Sequence, residues 1–179
     1  MQTMDNTLFL APASKSGSAH DHLKKAVIEG LPRIIGGQDI GQADDDIIRI
    51  WGLTSGLESP WREAEPGDWL LFYTGNGKYK YAAQISGKSH DPKIGEFIRD
   101  EALDVTPDEV RDGKVWDFLL YLDAPIRIHL SGKLLSEWLG YDRAYQSRFI
   151  RVPKDRMSVI EDRFGTISAL VEEYNNECC

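Results

Sequence analysis

The chain has 179 residues, 41% of them hydrophobic and 28% charged, which is the make-up of one folded domain and excludes a disordered or fibrous chain. The formal net charge of −8 excludes a protein held to nucleic acid mainly by bulk electrostatics, because that kind of binding rests on clustered Lys and Arg meeting phosphates. No apolar run approaches the roughly 18 residues of a membrane span, and the opening MQTMDNTLFLAPAS has no basic stretch followed by a long apolar one, so an intracellular, cytoplasmic protein without a membrane partner is expected.

Thr7 to Ala11 reads as a short apolar strand stopped by Pro12, followed by a loop of small residues from Ala13 to Ser18. Ser18 is placed to cap a helix through about Glu29, with Leu23, Ala26 and Val27 on one face and Gly30 and Pro32 ending it. Gly36 to Asp46 reads as loop. Ile47 to Trp51 is a β-branched run that delivers Trp51 to a strand end, and Gly52 to Gly67 is a polar loop.

Pro66-Gly67-Asp68 then turns the chain into the clearest hairpin of the sequence. Trp69 to Tyr73 and Tyr79 to Ile85 are its strands, and Gly75-Asn76-Gly77 supplies the positive-φ positions of a tight tip. Lys88 to Lys93 reads as loop, Ile94 to Leu103 as a short acidic helix, and Thr106-Pro107 as another helix start. Val115 to Leu122, Ile126 to Leu130 and Arg148 to Val152 are strand candidates. Leu134 to Leu139 is a helical turn ending at Gly140, and Met157 to Tyr174 is an amphipathic helix with a break at Gly165. The expected fold class is α+β, a small β-barrel of about six strands with flanking helices, forming a single domain over residues 1–175 with a tail at 176–179.

The charge is unevenly spread. Glu96 to Asp117 is acidic and Ile126 to Arg156 is basic, which gives either one polarised surface or two solvated faces paired with each other. Catalytic signatures are missing: the histidine pair His20 and His22 cannot share a helical face, and Cys178 and Cys179 are adjacent and cannot provide spaced metal ligands. There is no G-x-S-x-G, P-loop or His-Glu-x-x-His, so neither an enzyme nor a cofactor is expected.

Five tryptophans and seven tyrosines point instead to stacking on a flat ligand, with Trp51, beside a glycine and a polar loop, the leading candidate. Trp69 and Trp116 stand in apolar runs and are read as core.

The order TLFLA, Ser-rich loop, helix, Ile50-Trp51-Gly52, then Pro66-Gly67-Asp68-Trp69-Leu70-Leu71-Phe72-Tyr73 and Tyr81-Ala82-Ala83-Gln84-Ile85 resembles the EVE and YTH branch of the PUA-like superfamily. Trp116 to Leu122, Leu139-Gly140-Tyr141 and Arg148 to Val152 are similar to EVE-like modules of modification-dependent restriction systems, which are fused to McrB-type GTPases or HNH nucleases.

This resemblance implies a reader that flips a methylated base, in DNA by preference and otherwise in RNA, into an aromatic cage. It implies base contacts from Trp51, Gly52 and Leu53, from Ser14, Lys15 and Ser18 of the loop, and from Tyr73, Trp138 and Tyr145. A second cage tryptophan is absent from Lys88 to Lys114, so Phe97, His90 or an aromatic of Trp138 to Tyr145 is expected to close the cage. Phosphate contacts are expected from Lys78, Lys80, Arg143, Arg148 and Arg151, and a nuclease or GTPase effector, fused or separate, is implied as partner. An RNA-binding relative of the same fold and a small-molecule or enzymatic barrel are the alternatives. A strongly shifted histidine or carboxylate in the pocket would favour the latter and an uncharged aromatic slot the reader.

Overall fold

A computed structural model describes residues 6–14, 18–41, 46–102 and 116–176. The elements in order are β1 (Leu8–Pro12), α1 (Ser18–His22) continuing into a π-helical stretch (Leu23–Ile28), β2 (Leu31–Pro32), β3 (Ile34–Ile35), β4 (Gln38–Asp39) and β5 (Ile47–Leu53). A 3₁₀ turn (Ser55–Leu57) leads into α2 (Glu58–Glu63), β6 (Trp69–Tyr73), β7 (Lys78–His90) and α3 (Pro92–Phe97), which passes into a second π-helical stretch (Ile98–Ala102). Then come β8 (Phe118–Leu122), β9 (Ile126–Ser131), α4 (Gly132–Leu139), β10 (Ile150–Arg151), α5 (Ser158–Phe164) and α6 (Ile167–Glu173). The long strands are β1, β5, β6, β7, β8 and β9. Among the described residues no helix is long and apolar enough to cross a membrane.

The strands follow the order β10-β1-β6-β7-β8-β5-β2, with β9 also on β7. β1 runs parallel to β6, and the other pairings are antiparallel. The path does not lie flat. Trp51 on β5 and Phe72 on β6 are separated in the sheet by β7 and β8, about 14 Å at ordinary strand spacing, yet their ring centroids are 5.0 Å apart. Only a sheet curled onto itself brings them together, so the strands form a barrel wall.

The period-two alternation sorts side chains between the barrel interior and the outside. Phe9 and Ala11 of β1, Trp51 and Leu53 of β5, Leu70 and Phe72 of β6, and Leu120 and Leu122 of β8 point inward and share one core. Their neighbours Leu8, Leu10, Trp69, Leu71 and Tyr73 point outward, where α4, α5 and α6 cover them. A third cluster, with Ile48, Ile50, Leu119 and Tyr121, lies on the other flank beneath Ala26 and Ile98 of the π-helical stretches.

Local chemistry accounts for the ends of these elements. Gly75, Asn76 and Gly77 all take positive φ at the hairpin tip, as expected of that sequence. Asp68 is buried and accepts hydrogen bonds from Thr7 N at 2.7 Å and Glu65 N at 2.8 Å, so the carboxylate that closes the turn also fixes the start of β1. Ser131 caps α4 and Thr166 caps α6, while Gly165 separates α5 from α6.

Several boundaries differ from the sequence reading. β7 extends to His90 through residues expected to be loop, because β8 pairs with it there. β4 lies within the Gly36 to Asp46 stretch expected to be loop and forms a small ribbon with β3, and α2 interrupts the long loop after β5. β8 begins at Phe118, leaving Trp116 ahead of the strand. The helix start at Thr106 lies outside the described residues.

Candidate functional site

One mouth of the barrel opens into a cleft of about 360 Å³. Pro12 at the end of β1, Ala19 and His22 of α1, and Trp51, Gly52 and Leu53 at the end of β5 form one side. Leu57, Trp116, Arg148 and Phe149 form much of the rest. The chain delivers these residues from widely separated stretches, and the closing of the barrel gathers them.

The centre of the cleft is a stack of three flat rings. His22 lies between the two tryptophans, with centroids 4.4 Å from Trp51 and 4.3 Å from Trp116 and interplanar angles of 14° and 21°. Gly52 makes the arrangement possible, since a Cβ there would stand 2.7 Å from Trp116 Cβ and 2.8 Å from its Cγ. β2 pairs with β5 only at Ile47 and Ile48, and His22 occupies the edge further along: its Nε2 faces the Gly52 N–H at 3.4 Å, a long hydrogen bond.

Burial between the indoles pushes the His22 pKa down from 6.5 to about 4, with a backbone hydrogen bond to Ile50 opposing the shift in part. His22 is therefore neutral at pH 7. Among the described residues the cleft lining holds no carboxylate, and its permanently charged side chain is that of Arg148, which is exposed at the rim.

A second, more open cleft of about 380 Å³ adjoins the first and shares Gly56, Leu57, Arg148 and Phe149 with it. Its wall includes Ser59, Pro60, Glu63 and Arg151. Arg151 Nε lies 3.1 Å from Glu63 Oε2, a charge contact without hydrogen-bond alignment. The two clefts make a continuous groove leading away from the ring stack.

Of the residues singled out in the sequence, Trp51, Gly52, Leu53 and Arg148 come together in the first cleft, and Arg151 lines the second. Ser14 follows β1 and sits beside the hairpin tip, its Cβ 3.9 Å from where a Gly75 side chain would begin. Ser18 opens α1, and Lys15 lies outside the described residues. Lys78 and Lys80 are on β7, and Arg143 is exposed in the loop after α4; none of the three lines either cleft.

The aromatics expected to close the cage are elsewhere. Tyr73 faces outward because Phe72 faces inward, and it stacks on Tyr145 at 4.3 Å. Trp138 packs against Phe164 and Tyr174 in the helical core. His90 stacks on Phe118 and Phe97 belongs to α3; neither lines the cleft. The ring opposite Trp51 is Trp116, which the sequence reading assigned to the core; half-buried ahead of β8, it forms a cleft wall instead. His22 was also missed, having been weighed only as a metal ligand. Among the described residues no group of three or more His, Cys, Asp or Glu could hold a metal.

No protein-family model and no curated protein matches the chain. Among solved structures, the chain is similar to the N-terminal domain of Thermococcus gammatolerans McrB bound to m5C DNA, with a TM-score of 0.62 and 22% identity over 88% of this chain and 96% of that one. Looser likenesses are to the Pho92 YTH domain in complex with m6A (TM-score 0.47, 14% identity, 90% of this chain and 87% of that one) and to ASCH from Zymomonas mobilis (TM-score 0.46, 7% identity, 87% and 94%). The chain shares the fold of that McrB N-terminal domain, an α+β barrel as the sequence led one to expect.

Proposed function

We propose that this PUA-like barrel is a nucleic-acid-binding module that reads a methylated base, in DNA by preference, by taking the flipped base between Trp51 and Trp116. The observation that carries the reading is the ring stack: two indoles at the barrel mouth hold one flat ring between them, with a glycine edge beside it. Extruding a base costs a few kcal/mol, and stacking returns about 1 to 3 kcal/mol per base. A methyl group adds apolar surface to that contact. The fold shared with a domain bound to m5C DNA supports the same reading.

The groove past Arg148 would take the strand backbone, with Arg148 as the phosphate contact at the mouth. Arg151 is partly neutralised by Glu63, so affinity would depend only modestly on salt. In this reading the domain targets a modification-dependent restriction system, and cleavage belongs to a nuclease or GTPase effector in the same protein or a partner.

The strongly shifted His22 raises the alternative of an enzyme or small-molecule site. The physical cause of the shift argues against catalysis: His22 is neutral because it is desolvated, both ring faces are covered, and among the described residues the lining offers no carboxylate to pair with it.

The test is fluorescence-polarisation binding at fixed salt to matched DNA and RNA oligonucleotides carrying 6-methyladenine, 5-methylcytosine, 5-hydroxymethylcytosine or no modification. Preference for one modified DNA supports the reading and names the base; preference for a modified RNA moves the function to RNA. Equal, weak binding to all of them overturns it.

A further inference from the structure

The slot between Trp51 and Trp116 is not open. His22 fills it, and the surface of Trp51 that a ligand would use is covered, leaving that residue 5% exposed. His22 resembles a bound base in three respects. It is a flat nitrogen heterocycle, it is stacked on both faces at one-ring spacing, and it presents a ring nitrogen to the Gly52 N–H on the unpaired edge of β5.

We propose that His22 is a built-in stand-in for the base, occupying the recognition slot of the free protein and leaving it when a flipped base enters. This rests on the reader function proposed above and adds the state of the site before binding. Once His22 leaves, the Gly52 N–H is a free donor at the bottom of the slot. It can donate to a ring-nitrogen acceptor, such as N3 of cytosine or N1 of adenine, in the way it donates to the imidazole.

The location of His22 suits such a displacement. It is the last residue of α1, immediately before the helix widens into the π-helical stretch, and so stands at a junction between two helical geometries. The imidazole is held on the β5 edge by two backbone groups, accepting from the Gly52 N–H at 3.4 Å and hydrogen-bonding to the Ile50 backbone, and no salt bridge involves it among the described residues. An incoming flat base would supply the same indole stacks and meet the same backbone edge.

The cost of displacement appears as reduced affinity, because only the open fraction of molecules binds. His22→Ala, which leaves the slot empty, should bind the preferred modified oligonucleotide roughly tenfold more tightly than the wild type, if about one molecule in ten is open.

The deciding measurement is histidine NMR on the full chain, free and with each member of the oligonucleotide panel. In the free protein the His22 ring protons should be shifted strongly upfield by the two indoles. On binding the preferred oligonucleotide they should move to the positions of an unstacked imidazole. Binding of a modified oligonucleotide with His22 still upfield overturns the displacement and leaves the reader standing. Tighter binding by His22→Ala supports it, whereas tenfold weaker binding by a folded His22→Ala makes the imidazole a base contact and overturns the proposal. If neither wild type nor His22→Ala distinguishes any modified strand, the reader function fails and the stand-in with it.

Discussion

Trp116 rests directly on Gly52, so closely that a single added carbon would stand 2.7 Å from the indole's own Cβ. The wall of the slot is therefore built on the absence of a side chain on the neighbouring strand. Gly52→Ala should push Trp116 outward and cost roughly 1 to 3 kcal/mol of stability through overpacking. Its affinity for the preferred modified strand should fall at least tenfold, as read by fluorescence polarisation. Undiminished affinity would show that Trp116 does not have to lie where it does.

The two indoles differ as targets for substitution. Trp51 belongs to the barrel interior, so Trp51→Ala should lose binding and also about 3 to 5 kcal/mol of stability. Its burial against Phe72 is the source of that stability loss. Trp116 is half-buried at the cleft, and Trp116→Ala should abolish discrimination between modified and unmodified strands with a smaller change in the urea midpoint. Retained discrimination in a folded Trp116→Ala would remove that ring from the slot.

His22 gives the protein an acid-sensitive term of known sign. With the native pKa near 4 and the unfolded one near 6.5, neither state is protonated above about pH 7 and the group has no effect there. As pH falls from 6.5 toward 4 the unfolded chain takes up a proton that the stacked ring refuses. Stability is lost across that window, by roughly 3 kcal/mol at most. His22→Phe keeps a flat ring without a titrating group, so its loss of stability between pH 7 and 4.5 should be smaller than that of the wild type. Equal losses in urea titrations would mean that His22 is not held as a buried neutral ring.

Arg148 and Arg151 should separate by salt dependence. Arg148→Ala should weaken modified and unmodified strands alike and reduce the salt slope by about one phosphate. Arg151→Ala should do less, because Glu63 already offsets that charge. A loss confined to modified strands in Arg148→Ala would make it a base contact.

Asp68 carries a prediction about the frame alone. Asp68→Ala leaves the Thr7 and Glu65 amides without their acceptor and should cost about 1 to 3 kcal/mol. Base preference should be unchanged in the folded fraction; an altered preference would tie this turn to the site.

The parts of the fold encoded by short-range chemistry were legible. The Gly75-Asn76-Gly77 tip, the Gly140 stop and the Gly165 break all need backbone angles that glycine or asparagine adopt easily, and each stands where expected. Trp51 was legible as a cleft residue because a glycine and a polar loop follow it. Trp116 was not, because its apolar neighbours Phe118 to Leu122 made it look like part of the strand. The available signal was Gly52, since a glycine inside a strand often marks close approach of another group. His22 could not be inferred from its own neighbourhood, for its partners lie 29 and 94 positions further along the chain and meet it only when the barrel closes. The side of the sheet taken by Tyr73 follows from strand phase, which the aromatic content alone did not reveal.

Because β1 and β6 run parallel, the Asp68 clamp beside Leu8 and Trp69 lies at the opposite end of these strands from Pro12, which borders the cleft. Strand register is thus secured at one end of the barrel, and the ring-lined cleft opens at the other. On the reader function proposed above, the half-buried Trp116 can be varied to suit a different heterocycle while the clamp keeps the staves aligned, giving a platform on which new base selectivities can be selected by library methods.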